Sequence, residues 1–179
     1  LPVLTYSFIA DELCIIKFKV KNMFSNLAFL LFFHSLFRWL VLGSLLLSIY
    51  RAYRGYSDNL IFGKIDNSIR HWTATIAHIQ LIIGITLYTK SATVNFFWQY
   101  FKEAIQQLDT TFFGLIHIFL MIIAVIILTI GSAMAKRQMT DKYKFKTMLV
   151  WFSIALFIIL IAIPWPFSPL ANRPYFRQF

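Results

Sequence analysis

The sequence predicts an all-α integral membrane protein, an up-down-up-down four-helix bundle. Of its 179 residues, 59% are hydrophobic and 13% are charged, whereas soluble domains are about half apolar and about a quarter charged. The mean hydropathy is +0.70. This composition excludes a water-soluble globular domain and a disordered chain. The apolar residues are concentrated in four long runs, at about 24–50, 71–90, 111–135 and 147–167.

Each apolar run has the length that a membrane-spanning helix needs. About 20 residues, at a rise of about 1.5 Å each, cross the ~30 Å hydrocarbon core. Because lipid offers the backbone no hydrogen-bond partner, a helix is expected even for the β-branched stretch at 121–130. Pro164 and Pro166 are expected to stop the fourth helix. The predicted transmembrane domain therefore covers residues 23–167.

The two chain ends are predicted to lie outside this domain. The first methionine is Met23, directly before the first apolar run. Residues 1–22 lack the charged front, apolar centre and cleavage site of a signal peptide. We expect residues 1–22 to be a tail or an artefact of the start site, and residues 168–179 to be a second tail.

The connector after the second run contains an amphipathic segment at about 95–108. Its apolar side chains recur at helical spacing beside polar ones, at Phe97, Phe101, Ala104, Ile105 and Leu108. This pattern predicts a helix lying at the membrane surface, as an anchor or as a lid over the bundle end.

Charges in the connectors predict the orientation of the chain. Lysine and arginine are concentrated in segments 51–70 and 136–146, and short basic loops tend to stay in the cytoplasm. We therefore expect both loops on the cytoplasmic side of the cytoplasmic (inner) membrane and both termini outside. Because the net charge of +10 resides mostly in connectors, the lipid bilayer is the expected partner and nucleic acid is not.

Polar side chains inside the apolar runs are the candidate functional residues, because such side chains usually face the bundle interior. His34 and Arg38 are four residues apart on one face of the first helix. None of the four runs contains an aspartate or glutamate to neutralise Arg38. His117 lies in the third run, on a stripe of small residues that includes Gly114 and Gly131.

Counting residues from the outer side places His34 and His117 at similar depth, about 10–15 Å below the surface. The first and third helices lie on a diagonal in an up-down bundle, from which two imidazoles can reach one planar macrocycle. We therefore predict a haem b site with His34 and His117 as axial metal ligands and Arg38 balancing negative charge.

The second helix leaves alternatives open. His78 could replace His34 or His117 as a ligand, and His78 with Gln80 could bind a quinone. His71, at the helix end beside Trp72, is an ordinary interfacial residue. Any one of these histidines, taken alone, could equally be a packed residue that hydrogen-bonds between helices.

Several short segments resemble a group of small bacterial four-helix membrane proteins described as cytochrome-b-like. These segments are HSLFRW at 34–39, AHIQ at 77–80, the stretch around His117, and IPWPF at 163–167. The resemblance covers residues 23–167. It implies a b-type haem with histidine ligands, and its motif positions are His34, Arg38, His78 and His117.

Two classes of function follow. The first is a haem protein that transfers electrons to or from a quinone or a respiratory partner, or that uses the haem to oxidise a porphyrin or quinol. The second is a cofactor-free subunit of a homo-oligomer or larger membrane complex, in which the same side chains only hold helices together. The sequence contains no phosphate-binding loop, zinc spacing or Gly-x-Ser-x-Gly motif that would support an ATPase or hydrolase.

Overall fold

The computed structural model describes residues 3–169 and 171, with side chains from residue 27 onward. The described residues are mostly helical and form no strand, as predicted. The helices are α1 (Val3–Ser57), α2 (Lys64–Lys90), α3 (Ala92–Gln99), α4 (Phe101–Ala104), α5 (Leu108–Thr111), a π-helical turn (Phe112–Ile116), α6 (His117–Arg137) and α7 (Asp141–Ala162). Four helical stretches among the described residues are long and apolar enough to cross a membrane: Leu27–Ser57, Lys64–Lys90, Leu108–Arg137 and Asp141–Ala162.

The long helices extend beyond the apolar runs at the ends where the basic connectors lie. α1 continues to Ser57, α2 begins at Lys64 and α7 begins at Asp141, whereas the runs end at 50 and begin at 71 and 147. Hydropathy identifies only the apolar part of a helix. Lysine and arginine are nevertheless good helix formers, so a helix can continue into a charged segment. The basic segments predicted as loops are therefore largely helical.

The predicted amphipathic segment is broken rather than continuous. Ser91 caps α3, because its side chain accepts a hydrogen bond from the Val94 N–H. Tyr100 then leaves the helical conformation, with φ −123° and ψ 54°, and separates α3 from α4. Phe97 and Ala104 are fully buried, so this segment packs onto the end of the bundle.

The predicted tails at 1–22 and 168–179 fall largely outside the residues whose side chains the structure describes.

The four long helices are arranged in a ring in which each packs chiefly against two others. α1 contacts α2 and α7, and α6 contacts the same two helices. α1 and α6 therefore face each other across the centre of the ring. The core between them is apolar and includes Leu45, Leu128, Met148, Phe152 and Ala155.

The connections from α1 to α2 and from α6 to α7 lie at one end of the ring, which we call the basic end. Polar side chains form pairs between helices near this end. Arg51 donates two hydrogen bonds to the Asp66 carboxylate, at 3.1 and 2.7 Å. Arg70 is buried and donates to the carbonyl and hydroxyl oxygens of Ser132. Both arginines lie in the basic segment 51–70, which the sequence predicts to be a loop. In the structure both belong to helices, and their guanidinium groups join helices together.

Candidate functional site

A cavity of about 570 Å³ opens inside the ring at the end opposite the basic end. Four of the predicted polar side chains line it, namely His34, Arg38, Gln80 and His117, and we call it the histidine cavity. Its volume lies within the range of about 300–1,000 Å³ that is typical of ligand and cofactor sites. Most of its remaining wall is apolar, with Leu81, Met121, Val125, Ile159 and Ile163.

His34 and His117 approach each other in this cavity from α1 and α6. Their ring centroids are 6.4 Å apart and the ring planes are inclined by 69°. Two imidazoles that bind one metal ion from opposite sides, each through a nitrogen at about 2 Å, have centroids about 6 Å apart. The separation therefore suits two axial ligands of one iron, and it also lies within the range of ordinary aromatic contacts.

The protonation of His117 follows from its hydrogen bond. Its Nδ1 lies 2.7 Å from the carbonyl oxygen of Ala162. A carbonyl can only accept, so Nδ1 carries the hydrogen, and in the neutral ring Nε2 carries the lone pair. Metal-bound histidines commonly donate their other N–H to a backbone carbonyl in this way.

The prolines that end α7 make this carbonyl available. In a continuing helix the carbonyl of Ala162 would accept from the backbone N–H of residue 166, and that of Leu160 from residue 164. Both positions are proline and have no N–H. The indole Nε1–H of Trp165 donates to the Leu160 carbonyl instead, and His117 donates to Ala162. The two prolines of the IPWPF segment therefore leave the Ala162 carbonyl free to accept the hydrogen bond from His117.

A second set of contacts holds the backbone just before His117. The Tyr88 hydroxyl donates to the Gly114 carbonyl at 2.7 Å, and the Trp98 indole donates to the Tyr88 oxygen at 2.8 Å. Gly114 belongs to the π-helical turn, and a Cβ there would collide with the Phe97 ring. π-Helical turns are rare and occur frequently at functional sites. Tyr88 and Trp98 were not predicted as site residues, because no local pattern in the sequence marks a contact between distant segments.

α2 positions His34. A Cβ at Gly84 would lie 3.3 Å from Cε1 of the His34 ring, so the absence of a side chain there lets the imidazole pack closely against α2. The Gln80 amide donates to the His34 backbone carbonyl at 2.9 Å. Its other amide atom, Oε1, is buried and has no hydrogen-bond partner among the described residues.

Arg38 is the only Asp, Glu, Lys or Arg among the described residues that line the histidine cavity. Its guanidinium carbon lies 5.6 Å from the centroid of the Trp39 ring. Among the described residues the wall thus provides one positive charge and no carboxylate.

His78 does not line the histidine cavity. It is exposed on α2, and its Nε2 lies 3.1 Å from the Thr129 hydroxyl oxygen. Residues two apart on a helix point about 200° away from each other, so His78 and Gln80 cannot face the same space. His71 is also exposed, beside Trp72. The structure thus brings together His34, Arg38, Gln80 and His117 and leaves His78 on the other face of α2.

A bare metal ion and a haem need different numbers of ligands from the protein. Among the described residues there is no cluster of three or more His, Cys, Asp or Glu side chains that could hold a metal. A structural zinc ion takes four protein ligands, whereas a haem iron takes four nitrogens from its own macrocycle and needs only axial ligands from the protein. Two histidines that approach each other from facing helices are compatible with the second of these requirements.

The chain matches no family model, and no curated protein and no solved structure is significantly similar to it.

Proposed function

We propose that this protein is a b-type cytochrome-like membrane protein that binds haem in the histidine cavity and transfers electrons, with a quinone or another respiratory component as redox partner. The observation that carries the proposal is the 6.4 Å separation of the His34 and His117 rings across the cavity. The resemblance of segments 34–39, 77–80 and 163–167 to cytochrome-b-like proteins also favours haem binding.

The proposal includes an up-down-up-down bundle. Contacts between α1 and α2 support opposite directions for these helices: Arg51 meets Asp66 at the basic end, whereas His34 meets Gln80 in the histidine cavity. Contacts between α6 and α7 support the same relation, since His117 meets Ala162 and Gly131 meets Trp151. Short connections between antiparallel neighbours are typical of such bundles.

The proposal places this bundle in the cytoplasmic membrane. Large apolar side chains on the outer faces of the helices are more than half exposed, among them Ile82, Phe119 and Phe157, and lipid is the environment that suits them. The basic residues of segments 51–70 and 136–146 favour a cytoplasmic location for the basic end. The histidine cavity and both termini then lie toward the outside.

The side chains of the cavity have distinct roles in this proposal. His117 would hold the iron through Nε2, and the Ala162 carbonyl keeps the ring in the required tautomer. His34 would provide the second protein ligand of the iron, and Arg38 would balance negative charge on the haem. The apolar wall excludes water and thereby influences the reduction potential. The haem, when bound, supplies the exchange of single electrons through its iron.

An absorption spectrum of the detergent-purified full chain, expressed with adequate haem supply, tests the proposal. We expect a b-type spectrum after reduction with dithionite and about one haem per chain in a pyridine haemochrome assay. A monodisperse but colourless protein would contradict the proposal and favour the cofactor-free subunit. Proteins that co-purify with it would then become the subject of study.

A further inference from the structure

A groove of about 430 Å³ lies between α1 and α2 near the basic end, and we call it the α1–α2 groove. Its α2 wall includes Lys64, Ser68, Trp72 and Ile76, which follow one another at intervals of about one helical turn. The first three of these side chains are exposed, so the groove opens on the outer side of the ring. It shares no described lining residue with the histidine cavity.

The floor of the groove offers a ligand little hydrogen bonding, because its hydroxyl groups already have partners. The Thr73 hydroxyl donates to the Ser44 carbonyl at 3.2 Å, and the Ser44 hydroxyl donates to the Val41 carbonyl at 3.0 Å. These two small side chains leave space between larger apolar ones, among them Leu47 and Ile69. A hydrocarbon chain matches such a surface, since it needs no hydrogen bond and gains apolar contacts.

Lys64 is the only charged residue among the described residues that line the groove. It takes part in none of the ion pairs of the described chain. The nearby carboxylate of Asp66 is buried and is paired with Arg51. The charge at this groove is therefore positive, so it attracts an anionic group and repels the ammonium of a zwitterionic headgroup.

The polar and apolar parts of the groove follow the same order as those of a phospholipid. The apolar run of α2 begins at about residue 71, so Ser68 lies about 4–5 Å outside the hydrocarbon core. This is the headgroup level, because each headgroup region extends over about 5–8 Å. Trp72 lies at the boundary, which suits its indole ring, and Ile76 lies about 7–8 Å inside the core. Since Lys64 and Ser68 are neighbours on one helix face, about 6 Å apart, one phosphate can reach both.

We propose that the α1–α2 groove binds an anionic phospholipid, whose phosphate lies between Lys64 and Ser68 and one of whose acyl chains extends past Trp72 to Ile76. Basic pockets between membrane helices on the cytoplasmic side are suited to anionic lipid headgroups. This lipid site goes beyond the proposed function. It depends on the placement of the bundle in a membrane and on no property of a haem.

Phosphatidylglycerol and phosphatidylethanolamine with the same acyl chains provide the test. Both lipids carry a phosphate, and only the second adds an ammonium group. Each is titrated into the detergent-purified full chain, and native mass spectrometry measures the dissociation constant of the first lipid bound. We expect phosphatidylglycerol to bind wild type about fivefold more tightly, the effect of one lysine near an anionic lipid surface. Equal affinities would overturn the inference.

Lys64→Gln and a matched control, Lys136→Gln, assign the preference to the groove. Lys136 is also exposed at the basic end, but it does not line the groove, so each variant removes one positive charge from the same end. We expect Lys64→Gln to abolish the preference for phosphatidylglycerol and Lys136→Gln to retain it. An equal loss in both would show that the overall charge of this end causes the preference, and it would overturn the inference.

Leu47→Trp tests the position of the acyl chain. Leu47 lines the groove and is 49% exposed, so a larger side chain can fill the groove without entering the core. We expect both lipids to bind severalfold more weakly, and unchanged affinities would contradict this position. Inorganic phosphate should not displace phosphatidylglycerol, because displacement would identify a phosphate site that does not need the groove. The comparison of lipids in wild type stands even where a variant fails to fold.

Lipid preference and haem content are measured independently. A preference for phosphatidylglycerol in a chain that gives no haem spectrum would support the lipid site and contradict the cytochrome function. A haem spectrum in a chain that binds both lipids equally would do the reverse.

Discussion

The imidazole of His117 is joined to the last residue of α7, because its Nδ1–H donates to the Ala162 carbonyl at 2.7 Å. The carbonyls in the last turn of a helix have no partner within it, and Pro166 removes the N–H that a further turn would have offered. A break in one helix thus orients a candidate ligand on its neighbour.

Substitution of Pro166 tests this coupling. In Pro166→Ala the new backbone N–H competes with His117 for the Ala162 carbonyl. Loss of the hydrogen-bond partner of a metal-binding histidine typically lowers metal affinity by about 10–100-fold. We therefore expect haem to leave the variant faster by a comparable factor, as measured by its transfer to added apomyoglobin. Pro169→Ala, beyond the contact, is the control and should behave as wild type. An unchanged rate in Pro166→Ala would show that the carbonyl does not orient the ligand.

Removal of either cavity histidine should abolish haem binding. We expect His34→Ala and His117→Ala to lose most of the haem while retaining wild-type helical content, because each removes one of the two axial ligands that the proposed function assigns. The pyridine haemochrome assay measures the loss, and circular dichroism together with gel filtration measures the fold. His78→Ala is the matched control, since His78 contacts Thr129 outside the cavity, and it should keep its haem. Full haem in both cavity variants would contradict the ligand assignment.

The carboxylate of Asp66 should contribute strongly to stability. It is buried, and it accepts hydrogen bonds from Arg51 and from the Gly63 backbone N–H. We expect Asp66→Ala to lower the free energy of unfolding in detergent by about 1–3 kcal/mol, because the arginine loses a charged partner and α2 loses its capping interaction.

Asp58→Ala is the control for Asp66. Asp58 pairs with Arg54 at 2.8 Å, but both side chains are exposed, and exposed pairs add little. Comparison of the two variants therefore separates the effect of burial on the free energy of unfolding from the effect of ion pairing. Equal unfolding curves would show that the buried Arg51–Asp66 pair adds no more stability than the exposed Arg54–Asp58 pair.

Two glycines in long helices should respond in opposite directions to alanine. A Cβ at Gly131 would collide with Cβ and Cγ of Trp151. These atoms lie close to the α7 backbone and cannot move aside, so α6 and α7 must separate, at a cost of about 1–3 kcal/mol. A Cβ at Gly43 meets nothing within 4 Å, and alanine there should stabilise the helix by about 0.5–1 kcal/mol. Thermal unfolding followed by circular dichroism distinguishes the two signs, and destabilisation by Gly43→Ala would contradict this account.

The sequence alone identified the four long helices and the all-α class, because suitability for lipid is a property of composition over about 20 consecutive residues. It also marked the polar side chains that interrupt the apolar runs. It underestimated the lengths of α1, α2 and α7, since charged residues continue a helix beyond the part that hydropathy detects.

Only the tertiary structure decided which polar side chains share a space. Spacing along α2 shows that His78 and Gln80 point in different directions, but the packing of α1 determines that Gln80 is the one beside His34. The pairing of Arg51 with Asp66, and the use of the Ala162 carbonyl by His117, join residues that are distant in the chain. Such contacts depend on the spacing and rotation of packed helices, which local composition does not encode.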